Sequence, residues 1–299
     1  MKRSCAETRQ ARPLLGTIVE LVVGGLGEKA ARAAMADAFA TVAEVQRRMS
    51  YHDPASVLSR INREAERGAV AVDEWTFAVL SAAAEMHRVS GGIFDVTVAS
   101  QLETLGFLPA TRGLASGANF QHVELNTDRT IRFQRPNMRI DLGGIAKGFA
   151  VDQAVAAMQR SGVPRGLVNA GGDLRAFGGE PFPVAIRHHE NPRATLATVA
   201  LHNAALATSA HYFAGRIVPG STAGPIIDPQ TGAQARRIRS ASVRAESTMH
   251  ADALTKVVML AGEAALPTLR HFRADAIFVA SGAQAMCSPG WSCNAPAFA

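Results

Sequence analysis

Two Gly-Gly dipeptides, Gly143–Gly144 and Gly171–Gly172, set the frame for the middle of this chain. The first lies in "RIDLGGIAKGFAVDQAVAAMQRSGV", which reads as a strand entering a glycine turn and then a helix that ends at Gly162. The second lies in "GLVNAGGDLRAFG", which reads as strand, glycine turn, strand. Glycine enters tight turns without a Cβ clash, so the backbone can reverse at both dipeptides. Short strands, tight turns and helices in this mixture build a sheet with helices packed against it.

The flanking segments agree. "LLGTIVELVVGG" is β-rich and closes on Gly24 and Gly25, a first strand. Residues 28–49 carry Met35, Phe39, Val42, Val45 and Met49 at helical spacing. A polar connection, "SYHDPASVLSRINREAERG", leads to a second helix near 73–90. There Trp75, Val79, Met86 and Val89 share a face that Gly91 and Gly92 close. "HVEL" and "TIRF" form a hairpin around "NTD". Several strands follow over 183–245, then a helix over 251–265 and a final strand, "DAIFVA". With no repeat and no linker, the expectation is one α+β domain of mostly antiparallel strands over 13–285. An extension (1–12) would precede it and a loose tail (286–299) follow it.

Composition narrows the function. Hydrophobic residues make up 47% and charged residues 19%, as in a folded protein, and the net charge of +6 suits anionic ligands such as phosphates or nucleotides. Arginines are scattered except for Arg236, Arg237, Arg239 and Arg244. Aromatics are only 6%, so nucleic acid is not an expected partner. The three cysteines fit no disulfide set or metal motif, which favours a reducing compartment. Without an apolar signal segment or a run of about 18 apolar residues, no membrane span and a cytoplasmic location are expected.

Four stretches carry potential chemistry. In "DLGGIAKG" an acid, two glycines and a lysine meet at a strand-to-helix junction. That is either a tight turn with Lys147 in solvent or a phosphate receptor, since a helix N-terminus offers free N–H groups. It matches neither the P-loop nor the Rossmann pattern. In "SGGIFDVTV" an alternating strand would turn Asp95 away from Phe94 and Val96, toward a cleft or water. In "PIIDPQTG" Asp228 reads as a turn former. In "HADALTKVVMLAGE" Asp252 precedes Lys256 by one helical turn. The pair is either a surface ion pair worth about 0.2–0.5 kcal/mol or part of a site that holds something.

Taken in order, "LLGTIVEL", "MSYHDPASVLSRIN", "GGIFDVTV" with "LETLGF", "DLGGIAKGFAVD", "LVNAGGDLRAFG", "ATSAHYFAGR", "IIDPQTG" and "ADAL" resemble the ApbE-type FAD:protein FMN transferase family. The resemblance spans about residues 13–280. It implies the ApbE-like fold and an enzyme that binds FAD with a divalent metal, usually Mg²⁺. Such an enzyme moves FMN onto a threonine or serine of an acceptor protein and releases AMP. By the same resemblance Asp141 and Lys147 contact FAD, and Leu15, His52, Ile93, Phe94, Asp95 and Ile226 line the flavin nucleotide site. The Gly144 carbonyl and Asp252 would be metal ligands.

Two positions depart from the family pattern. Where the family places a metal-binding threonine four residues after the aspartate, this chain has Lys256, with Thr255 about 100° round the helix. Where the family has a histidine before the two isoleucines, this chain has Pro225. Proline cannot accept a proton, so His211 and His250 become the candidate bases. Lys256 is expected to point into the site and hold a phosphate oxygen. Besides transfer, two other activities stay open: a non-catalytic FAD carrier or sensor, and hydrolysis of FAD to FMN and AMP.

Overall fold

The computed structural model describes residues 7–110, 113, 117–191, 193–211, 224–282 and 284–291. Cys5, Cys293 and residues 212–223 of the "ATSAHYFAGR" and "PGSTAGP" stretches lie outside them. An eight-stranded sheet organises the fold, in the order β1-β2-β6-β7-β10-β11-β12-β13. Its strands are β1 (Thr8–Leu14), β2 (Thr17–Gly24), β6 (Arg165–Ala170), β7 (Asp173–Gly178), β10 (Ala205–Ala210), β11 (Ile238–Ala245), β12 (Asp275–Ala280) and β13 (Ala285–Cys287). All its pairings are antiparallel.

The sheet has two covered faces. Val168, Ala170, Ala205, Ala207, Ala241 and Val243 face the large core shared with the helices. Leu174, Ala176, Leu206, Ile277 and Val279 face the other way, under the hairpin of β8 (Phe182–Arg187) and β9 (Thr195–Leu201). A third, small sheet, β3-β5-β4, contains β3 (Val70–Ala71), β4 (Val123–Leu125) and β5 (Thr130–Phe133). The last two make the expected hairpin.

Helix α1 (Glu28–Met49) buries Met35, Phe39, Val42, Val45 and Met49, as its spacing dictates. Helix α2 (Val57–Glu64) occupies what reads as a polar connection. Ser56 caps it by accepting the Ser59 N–H, and Leu58 with Ile61 supplies just enough apolar surface to hold it down. Helix α3 (Glu74–Val89) starts on an Asp73 cap and stops at Gly91 and Gly92, both with positive φ. Helix α4 (Ala99–Thr104) is one short turn. Helix α5 (Ala146–Arg160) crosses helix α6 (Thr248–Ala261), and α7 (Leu266–His271) follows. Gly148 makes that crossing possible, because a Cβ there would collide with the Thr248 carbonyl.

The sheet runs past both expected boundaries. Thr8–Leu14 pairs with β2 through Leu15 and Gly16, both at positive φ, so the first strand is a hairpin rather than a strand preceded by a free extension. The opposite edge continues through β13, and Trp291 is buried against the smaller core. Asp95 is not in a strand. It caps the 3₁₀ turn Val96–Val98 by accepting from Thr97.

Candidate active site

The hairpin tips Leu15–Gly16 and Gly171–Gly172 meet at one end of the large sheet, since β2 pairs with β6 and a Cβ on Gly171 would press on Thr17. The N-terminus of α5 opens at the same end, immediately after Gly143–Gly144. The residue before that helix offers no side-chain cap; the Ala146 N–H bonds the Leu142 carbonyl and the Gly148 N–H bonds Asp252, which leaves the Lys147 N–H for a ligand.

Four charged residues alternate below this opening. Asp173, the first residue of β7, projects to the helix side of the sheet and bonds the ammonium of Lys147. Lys147 also stands 3.7 Å from Oδ2 of Asp252, and the other Asp252 oxygen bonds the ammonium of Lys256. Lys256 donates again to the Asp252 carbonyl at 3.0 Å, and the Gly148 N–H donates to Asp252 Oδ2 at 3.2 Å. Asp252 has 0% exposure, so the pair with Lys256 is not a surface ion pair.

Burial would raise the Asp252 carboxyl, but Lys147 and Lys256 prevail and hold it below the usual range. Asp173 goes the other way: burial and the neighbouring Asp252 charge raise it, against the pull of Lys147. Burial opposes charge on Lys147, and the two aspartates overcome this and raise its pKa. Of the two acids Asp173 is therefore the more easily protonated.

Lys256 reaches the glycine turn. Its Cε lies 3.6 Å, and the Phe94 ring 3.5 Å, from where a Cβ on Gly144 would stand. Both side chains thus stand within van der Waals reach of the turn. Asp141, just ahead of the turn, is raised by burial against the pull of the Gly143 N–H, His52 and Lys256. The structure brings Asp141, Gly144, Lys147, Asp252, Lys256 and Phe94 into one neighbourhood. His52 is exposed beside Tyr51, and Ile93 and Leu15 pack partly buried on the core. Leu15 holds φ 55°, a left-handed conformation costly for a branched side chain, and its N–H donates to Gln46.

Asp95 has a different environment. Its carboxylate accepts from the Thr97 N–H and hydroxyl and the Phe120 N–H, and lies 3.2 Å from His87. Its bond to Asp95 raises the His87 pKa despite burial. These contacts fix the "GGIFD" loop behind Phe94. Together with Pro229 and Gln230 of the "IIDPQTG" turn, that loop lines a cavity of about 310 Å³. Asp228 accepts from the Gln230 and Thr231 N–H groups, as a turn former does, and Ile226 is buried before it.

The two histidines separate. His211 follows β10, is buried, and its Nδ1 accepts from the Gly224 N–H, next to Pro225. Its Nε2 has no hydrogen-bond partner among the described residues. Burial and then the Arg239 charge lower its pKa. His250 stacks on Phe272, and burial lowers it too. It precedes Asp252 by two helix positions, which turns it away from the lysines.

Asp173 is the residue that sequence reasoning passes over, because a bend in a sheet explains "AGGD" equally well. Only the packing of β7 under α5 brings it to Lys147. Thr255 is likewise displaced: its hydroxyl donates to the Asp252 carbonyl at 2.7 Å and meets Ser209 at 2.8 Å.

The ApbE family model matches residues 15–278. This chain belongs to the ApbE family. The FAD:protein FMN transferase of Haemophilus influenzae is 30% identical over 246 residues, 75% of this chain and 71% of that protein. The Vibrio cholerae FAD:protein FMN transferase is 29% identical over 237 residues, 74% of this chain and 71% of its own. The crystal structure of the ApbE protein of Thermotoga maritima superposes with a TM-score of 0.85 at 26% identity, covering 95% of this chain and 97% of that one.

The Mg²⁺ that the family resemblance implies does not fit the residues present here. A hard divalent cation takes about six oxygen ligands in regular geometry. Both Asp252 oxygens already have cationic or N–H partners, and Thr255 is turned toward β10. The described residues hold no group of three or more His, Cys, Asp or Glu side chains able to bind a metal.

Proposed function

We propose that this ApbE-family chain is an FAD:protein FMN transferase, moving FMN from FAD to a serine or threonine hydroxyl of an acceptor protein with release of AMP. The observation that carries this reading is the Asp173–Lys147–Asp252–Lys256 chain beneath the start of α5. An FAD pyrophosphate laid over Gly143–Gly144 would receive the Lys147 N–H and two ammonium groups. The acceptor oxygen attacks the flavin-side phosphorus, and the bond to the bridging oxygen breaks, so AMP leaves with that oxygen. Lys147 and Lys256 offset the charge that grows on the leaving phosphate, and the buried aspartates hold both ammonium groups in place. Phe94 and Ile93 form the apolar wall for the flavin nucleotide, with Leu15, His52 and Ile226 around it and Asp141 at its entrance. His211 takes the hydroxyl proton at Nδ1, which must first release the Gly224 N–H, because the neutral ring carries its own proton on Nε2. It sits beside the proline that stands where the family has a histidine, and burial keeps it neutral. His250, stacked on Phe272, takes no part.

Incubation with FAD and a candidate acceptor tests this, with covalent flavin followed by in-gel fluorescence and mass, and AMP by chromatography. Transfer predicts one FMN added to the acceptor per AMP released. AMP with free FMN would make the protein a hydrolase, and intact bound FAD a carrier.

A further inference from the structure

We infer that the Lys256 ammonium is a built-in replacement for a divalent cation, so that this protein binds FAD without metal. The inference rests on the reading of this site as an FAD receptor. Three contacts locate the ammonium: the Asp252 carboxylate, the Asp252 carbonyl at 3.0 Å, and the Gly144 turn, against which the Lys256 methylenes pack. The Asp252 carboxylate and the Gly144 turn are what the family resemblance assigns to the metal. A second lysine, Lys147, takes the other Asp252 oxygen and Asp173. Asp173 and Asp252 are thus matched by two lysines, and the third acid nearby, Asp141, is disfavoured as a carboxylate by its burial.

Charge and geometry both exclude a shared occupancy. A dication at Asp252 would face the Lys256 ammonium a few ångströms away, and like charges at that range repel strongly where water is scarce. Lys256 has only 17% of its side chain exposed and packs on Gly144 and Phe94, so leaving the site would expose methylenes now covered. An ammonium has three donors on a compact head. With two turned toward Asp252, the third can reach a pyrophosphate oxygen at the glycine turn. Thr255 completes the exchange: its hydroxyl is spent on Ser209 and the Asp252 carbonyl.

Two titrations test the inference. The first follows flavin fluorescence as FAD is added in EDTA and in millimolar Mg²⁺. The second follows the Mn²⁺ electron paramagnetic resonance signal as protein is added without nucleotide. The native protein should bind FAD with the same affinity, within about twofold, under both conditions, and should take up no stoichiometric Mn²⁺. Lys256→Thr should lose about tenfold or more in FAD affinity in EDTA, regain it with Mg²⁺, and acquire a Mn²⁺ site. Lys256→Arg keeps the charge and should stay independent of metal, which guards against misreading a folding defect. Stoichiometric Mn²⁺ uptake by the native protein, or an FAD affinity raised about tenfold by Mg²⁺, overturns the inference. Should FAD fail to bind in either condition, the FAD reading falls, while the Mn²⁺ titration still decides whether the lysine excludes the cation.

Discussion

Helix α5 meets strand β7 twice, with opposite polarity. At its first turn Lys147 bonds Asp173; further along, Asp152 bonds Arg175 at 2.7 Å. Asp173 and Arg175 are two residues apart on one strand and so share its helix-facing side. Both contacts also engage α6. Asp152 accepts from the N–H groups of Thr248 and Met249 and closes the start of that helix, while Lys147 approaches Asp252 inside it. At Asp152 the acid finds one guanidinium and two helix N–H groups, and its hydrogen-bonding capacity is spent on the fold. At Lys147 the cation shares two carboxylates with a second ammonium beside the Lys147 N–H, which has no helix partner, so hydrogen-bond donors are left over for a ligand. The same pair of elements yields a staple at one contact and a receptor at the other. Which it becomes depends on whether donors at the contact are left unspent.

The comparison breaks most sharply at Lys147. Lys147→Met should reduce flavin transfer about 10²-fold or more, as losing one donor to a transition-state oxyanion does in other enzymes. It should also destabilise the fold by about 3–5 kcal/mol, since Asp173 and Asp252 would be buried without that partner. Adding Asp173→Leu should restore part of the stability, read by urea denaturation, and none of the activity. Next comes the base. His211→Ala should slow transfer by about 10²-fold and His250→Ala by less than about twofold. Because burial depresses His211, the acid limb of the native pH–rate profile should fall below the ordinary histidine range. Asp152→Ala should cost about 1–2 kcal/mol of stability through the lost helix cap, yet leave FAD affinity within about twofold. The opposite result, lost affinity at full stability, would make the staple part of the receptor.

The smallest effect concerns His87, whose pKa Asp95 raises above its unfolded value. The raised pKa stabilises the fold fully below the unfolded pKa, and that contribution disappears as pH rises through the folded pKa. His87→Gln should therefore lower Tm more at pH 6 than at pH 8.5. An equal loss at both would mean that His87 acts by packing alone.

Sequence pattern exposes the parts of this molecule that depend on local rules. The apolar face of α1, the glycine stop of α3 and the 123–133 hairpin follow from spacing and turn residues. Helix α2 escapes because two apolar residues and a serine cap, in a stretch rich in charged and polar residues, look like a connection. The β1–β2 turn escapes because Leu15 occupies a left-handed position where glycine or asparagine is the usual signal. Within the site, "DLGGIAKG" marks a helix start open to anions, and the order of motifs ties it to "ADAL". The partnership of Lys147 with Asp173 is not legible, because it is made by packing across 26 residues of chain. The burial of Asp252 has the same cause: the spacing to Lys256 is common on solvated helices, and only the crossing at Gly148 takes it out of water.

Flavin-fluorescence titration with FAD and with FMN decides whether the start of α5 receives a pyrophosphate. FAD, which alone carries the pyrophosphate, should bind at least about tenfold more tightly than FMN, and Lys147→Met should erase most of that difference. Equal affinities for FAD and FMN in the native protein, or a preference for FAD that survives in Lys147→Met, would contradict a pyrophosphate site there.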